Sequence, residues 1–147
     1  MTRHTCAGLV LVSLMVVVGA AHAGDGKTAQ SLYERLGGKD AITAVVETFV
    51  GTVGGDTRIN GYFASTDLTK LKMHLVNQIC EASGGPCAYT GRTMTQTHKG
   101  MGVQDAAFGA LVEDLVAALD HHQVGKVEKR ELLAVLGPMK SEIVEQK

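Results

Sequence analysis

YTGRTMTQTHKGMGV, residues Tyr89 to Val103, decides the fold, because it carries a lone histidine, His98, between Met94 and Met101. Residues three and four apart stack on one face of a helix, so His98 shares a face with two soft apolar side chains. Such a face can press an imidazole onto a flat apolar cofactor. The same spacing also suits a histidine that is merely packed, and the segments on either side bear on the choice.

Downstream, a long amphipathic helix is predicted from Gln104 or Asp105, with Ala107, Phe108, Leu111, Val112, Leu115, Ala118 and Leu119 inside. His121 and His122 close it as solvent-facing residues at the end where a cation is favoured. A last helix from about Val127 carries Leu132, Leu133, Val135, Leu136, Met139 and Ile143 as its apolar positions. Pro138 should kink it, since an interior proline removes one amide bond and crowds the preceding turn.

Upstream, Gly84-Gly85-Pro86 ends a helix that Ser65-Thr66-Asp67 can cap, in which Leu68, Leu71, Leu75 and Ile79 share a face. His74 lies on the edge of that stripe. Ile59 to Phe63 leaves room for about one turn. Before it, Asp40 can cap a helix whose Ile42, Val45, Val46, Phe49, Val50 and Val53 repeat at 3.6 rather than 2, although β-branched residues favour strand. Ser31 and Glu34 have capping-box spacing for a very short helix that stops at Gly37-Gly38. The whole is an all-α single domain, without internal repeat or linker.

The chain has 147 residues and a formal net charge of −1. Arg3 and His4, the apolar or small run Leu9 to Ala20, and the small-x-small Ala21-His22-Ala23 predict a signal peptide over 1–23, too short in its apolar run for a bilayer span. Residues 24–30 form a flexible leader and 31–147 the folded domain. Export across the inner membrane to a periplasmic location follows, with membrane contact only through the transient signal peptide. Of three cysteines, Cys6 leaves with that peptide, and Cys80 and Cys87 flank a forced turn in an oxidising compartment. A disulfide or two buried thiols would both fit. A near-neutral chain without a basic patch argues against nucleic acid as a partner.

Two helices thus present a histidine on or beside an apolar face. Buried imidazole is costly unless its nitrogens are bonded, and iron in a porphyrin takes imidazole and needs apolar walls. Serine-hydrolase elbow, H-E-x-x-H, Walker loop and paired C-x-x-C motifs are all missing from the sequence. Cys80, Cys87 and His74 could be drawn as a zinc site, but their spacing matches no standard pattern.

YERLGG from Tyr33, DAITAVVETF from Asp40, Tyr62-Phe63, DLTKLKMH from Asp67, GGP at Gly84, YTG at Tyr89 and MTQTH from Met94 follow one another as in the group I truncated haemoglobins, which this chain resembles from about Tyr33 to Leu119. The resemblance implies a two-over-two arrangement of helices around haem b. It implies His98 as proximal iron ligand and Phe63 as the wedge against the porphyrin. Leu71, Leu75, Met94, Val103 and Phe108 then fall at pocket positions. It further implies reversible binding of oxygen, NO or CO.

Departures from the family pattern matter. Val50 stands where the family usually has a distal tyrosine, and Leu71 and Leu75 stand where glutamine is frequent. The usual hydrogen-bond donors to a bound diatomic are therefore absent, which lowers the case for nitric oxide dioxygenation. Some relatives place a second iron ligand at the position of His74, so bis-histidine coordination is an expectation alongside a solvent-facing histidine. Electron transfer with an extracytoplasmic redox partner, peroxidase-like turnover, and a helical interaction domain that has lost haem are the alternatives. No histidine lies in 127–147 and no C-x-x-C-H motif occurs, so covalent haem attachment is not expected.

Overall fold

The computed structural model describes residues 29–146. The expected signal peptide, 1–23, and most of the leader, 24–30, lie outside the described residues. Among the described residues the regular structure is helical: α1 Leu32–Arg35, α2 Gly38–Gly55, α3 Leu68–Ala82, α4 Met94–His98, α5 Asp105–His121, α6 Lys126–Leu136 and α7 Lys140–Ile143. One-turn 3-10 helices at Asn60–Phe63 and Gly137–Met139 join α2 to α3 and α6 to α7.

α2 is the central element and packs most extensively against α3 and α5. All six residues of its predicted stripe, from Ile42 to Val53, are buried, and Val46 is fully so. The core also takes Ile59, Val76, Ile79, Cys80, Leu115, Leu119 and Leu132. Tertiary burial of a 3.6-residue stripe thus overrides the strand preference of its valines.

α1 opens as predicted, with Ser31 Oγ accepting from Glu34 N and Glu34 Oε2 accepting from Ser31 N, the reciprocal capping box. The start of α2 differs from expectation. Gly37, at φ +94°, turns the chain directly into the helix, and Asp40 sits inside the first turn instead of capping it. A left-handed glycine achieves in one residue what a side-chain cap would need a longer connection to do. Asp40 still favours the helix through its charge near the positive end.

In α3, Asp67 caps as expected, its Oδ1 accepting from Thr69 N and Lys70 N at 3.1 Å each. The buried face is Val76, Ile79 and Cys80, whereas Leu68 is 46% exposed. Leu71 and Leu75 are half-buried against the core. The stripe read from the leucines is therefore rotated from the one that the core takes.

Cys80 and Cys87 are joined by a disulfide with Cα atoms 5.7 Å apart. The intervening turn has Gly84 at φ +84° and Gly85 N donating to Cys80 O at 2.8 Å. A Cβ on Gly85 would lie 2.5 Å from the Tyr33 ring and 2.8 Å from that carbonyl, so only glycine lets α1 and the end of α3 approach this closely.

α5 begins and ends where predicted, but His122 does not face solvent alone. Its Nε2 lies 2.8 Å from Thr48 Oγ1 on α2, a bond between helices far apart in sequence. Pro138 acts through the 3-10 turn Gly137–Met139, which breaks the last helix into α6 and α7. α7 then packs on α4.

Candidate functional site

α4 carries His98 and owes its existence to local bonds. Thr93 Oγ1 accepts from Gln96 N at 3.2 Å and Gln96 Oε1 from Thr93 N at 3.1 Å, a second capping box. The helix ends at His98, and the turn beyond it needs left-handed glycines, Gly100 at φ +82° and Gly102 at +64°.

The imidazole of His98 is half-buried, and its Nδ1 lies 2.8 Å from the carbonyl oxygen of Met94. A carbonyl only accepts, so Nδ1 carries the proton and donates. Nε2 is thereby left with its lone pair whenever the ring is neutral. This backbone bond fixes tautomer and ring orientation in the manner of a metal-bound histidine.

His74 stands half-buried on α3, one turn before Gln78. Its Nδ1 is buried and has no hydrogen-bond partner. Its ring meets that of Tyr89 edge-on, with centroids 5.8 Å apart. The Tyr89 hydroxyl donates to Arg92 O at 2.7 Å, and burial pushes its phenol pKa up, with Arg92 opposing. An unpaired buried nitrogen is costly, and it is the kind of atom that a ligand or metal would satisfy.

Phe63, Leu71, Leu75, Met94 and Phe108 are half-buried, while Val103 is buried at 7% exposure outside the main core. Phe63, Leu71 and Leu75 pack against the main core, while Met94, Val103 and Phe108 lie outside it. Lys140 Nζ lies 5.7 Å from the centre of the Phe108 ring. Val50 is buried within the core, so no hydroxyl enters from α2 at that position.

A cleft of about 240 Å³ opens between α3, α4 and the last helices, with Gln78, Tyr89, Met94 and Met139 in its walls. Of the expected pocket residues, Met94 alone lines it. The Gln78 amide crosses it, with Nε2 3.6 Å from Met94 Sδ and 3.3 Å from Met139 Sδ. Tyr89, Gln78 and Glu145 are the residues of this region whose roles the sequence did not signal individually. Glu145 Oε1 accepts from Gly100 N at 2.7 Å and Oε2 from Gly102 N at 2.6 Å. Those two amides hold its carboxyl below the usual range, with smaller help from His98 and Lys99.

The tautomer-fixed imidazole on α4 and the unpaired imidazole nitrogen on α3 are donors of the kind that a haem iron takes. The fold and these residues define a helical haem protein of the two-over-two kind. The chain belongs to the Bacterial-like globin family, whose model matches residues 31–145, and to its group 1 truncated haemoglobins. Haem is the cofactor of these proteins, and they bind oxygen or similar diatomic ligands.

Among its relatives, the group 1 truncated hemoglobin GlbN of Mycolicibacterium paratuberculosis is 36% identical over 113 residues, 77% of this chain and 83% of that one. The group 1 truncated hemoglobin of Tetrahymena pyriformis is 38% identical over 90 residues, 61% of this chain and 74% of that one. A solved Fe(III) structure of the T. pyriformis protein superposes with a TM-score of 0.75 at 32% identity, covering 78% of this chain and 98% of that one. The 2/2 hemoglobin of Synechococcus, solved in the cyanomet state with covalently attached heme, gives 0.74 at 32% identity and covers 80% of this chain and all of that one.

Proposed function

We propose that this chain is an exported b-type haem protein that binds a diatomic ligand reversibly, with His98 as the proximal iron ligand. The observation that carries the reading is the bond from His98 Nδ1 to the Met94 carbonyl, which leaves Nε2 as a ready donor to iron. Haem, when bound, supplies an iron that accepts imidazole on one face and a small ligand on the other. Phe63, Leu71, Leu75, Met94, Val103 and Phe108 would hold the porphyrin by excluding water from its faces.

His74 supports a second reading for the opposite face. Its buried, unpartnered Nδ1 and its place one turn from Gln78 on α3 suit a ring that is drawn to the iron in the absence of another ligand. Bis-histidine coordination makes electron exchange with an extracytoplasmic partner, or ligand binding gated by His74 release, the natural roles. The apolar Val50, Leu71 and Leu75 disfavour nitric oxide dioxygenation, since they offer no donor near the ligand.

Export and a periplasmic location are supported by the Met1–Ala23 sequence and by a disulfide in the folded domain. The test of the whole reading is the absorption spectrum of the mature protein, reconstituted with haem, in ferric, ferrous and carbon-monoxide forms. A Soret band lost in His98→Ala is expected. A ferric low-spin spectrum that turns high-spin in His74→Ala supports the second ligand, and a high-spin spectrum unchanged by that substitution rejects it. A colourless folded protein would make the chain a helical interaction domain.

A further inference from the structure

The segment that follows His98 is tied to the far end of the chain. Both oxygens of Glu145 are committed to it, Oε1 to Gly100 N at 2.7 Å and Oε2 to Gly102 N at 2.6 Å. The positive φ values of the two glycines turn both amides toward one carboxylate, an anion-binding concavity of main-chain N–H groups. Backbone bonds double the attachment. Glu145 N and Gln146 N donate to Val103 O at 2.9 and 3.2 Å, and Asp105 N donates to Gln146 O at 3.1 Å.

α4 needs such an attachment. It has five residues and buries none of them, and a helix so short has no stability of its own. Thr95 Oγ1 donates to Glu142 Oε2 at 3.3 Å, and Met101 N donates to His98 O at 3.0 Å. α4 is thus tied to α7 through Thr95 and to α3 through the Gln78–Met94 contact, and the turn after His98 is tied to residues 145 and 146.

We propose that Glu145 is a positioning residue for His98, its carboxylate fixing the Gly100–Gly102 turn so that the imidazole meets the haem iron in one orientation. The proposal rests on the reading of His98 as iron ligand. N–H bonds to a carboxylate are stronger than those between neutral groups, and residues that orient a ligand affect metal retention without touching the metal. Loss of the carboxylate frees the turn, and the consequence falls on the proximal bond while the α2–α3–α5 core stays intact.

The test uses the mature protein and its Glu145→Ala and Glu145→Gln variants. In the haem-free protein, hydrogen exchange at the Gly100 and Gly102 amides should quicken roughly tenfold in Glu145→Ala, with α2 amides unchanged. In the reconstituted protein, transfer of haem to excess apomyoglobin should also quicken roughly tenfold. The ferrous iron–histidine stretching band, recorded in a His74→Ala background so that one histidine remains on the iron, should shift or broaden. Glu145→Gln, which keeps one acceptor oxygen and the side-chain shape, should fall between.

Faster exchange with wild-type haem transfer and an unmoved Raman band would overturn the positioning role and leave a purely structural clamp. Unchanged exchange at both glycines would overturn the clamp itself. If adding His98→Ala to the His74→Ala background leaves its iron–histidine band in place, the assignment of the proximal ligand has failed and the proposal falls with it, an outcome that the Glu145 variants cannot mimic.

Discussion

Asp114 sits on α5 at 6% exposure, with Oδ2 buried and unpaired. Burial raises its pKa first of all, Asp56 and Glu113 add to the rise, and Arg58 opposes it while being engaged by Asp56 at 2.8 Å and Glu113 at 2.7 Å. A carboxyl whose folded pKa exceeds its unfolded value favours the folded state below the unfolded value, and that contribution is lost as pH rises through the folded one. Asp114→Asn should therefore be more stable than the parent at pH 7 by roughly 1 kcal/mol, the scale of one desolvated polar group. The advantage should vanish at about pH 3, below the ordinary carboxylate pKa. Urea unfolding at both pH values checks this, and a difference that does not change with pH would refute it. Leu71 poses a functional question at the same scale. A neutral donor hydrogen bond contributes about 1 kcal/mol, so Leu71→Gln should slow dioxygen release about fivefold in flash photolysis. An unchanged release rate would mean that residue 71 does not face the ligand.

α6 shows which interactions hold an element in place. Leu132 is its one buried residue, at 1% exposure, and contacts the main core. Arg35 of α1 reaches across to Glu128 at 3.2 Å and also pairs with Glu131. Surface ion pairs contribute about 0–1 kcal/mol, whereas truncating a buried leucine costs about 2–5 kcal/mol. Leu132→Ala should thus lower the urea midpoint far more than Arg35→Ala, and equal shifts would mean that the ion pairs anchor the helix. The same contrast explains what the sequence revealed. The α2 stripe was legible because burial of one face leaves a 3.6-residue signature, and the His98 helix because Met94, His98 and Met101 fall at helical spacing, whereas its Thr93–Gln96 capping box was not read. The Glu145 bonds to Gly100 and Gly102 and the His122 contact with Thr48 left no such mark, since each joins segments more than 40 residues apart and a charged or polar residue near a helix end ordinarily faces water. Val76 and Cys80 were missed for Leu68 because leucine spacing suggested a face that tertiary packing rotated.

Across the whole molecule, the disulfide is the covalent link between the main core and the wall of the site. Cys80 is fully buried in that core, and Cys87 begins the connection through Tyr89, whose ring rests on His74, to α4. Closing a loop this small removes unfolded-state entropy equivalent to about 2 kcal/mol, and for a domain of this size each kcal/mol moves the melting temperature by roughly 4 °C. Reduction by dithiothreitol should therefore lower the melting temperature by about 8 °C. The Cys80→Ala/Cys87→Ala double variant should fall further, because it also loses a sulfur from a closely packed position beside Gly85. The larger consequence is local. With the tether cut, the Gly84–Thr93 connection should exchange its amides faster than α2 or α5, and the edge contact of Tyr89 on His74 should loosen before the core yields. Exchange that quickens uniformly through α2, α3 and α5 would mean that the disulfide supports the core as a whole and does not specifically hold the wall of the site.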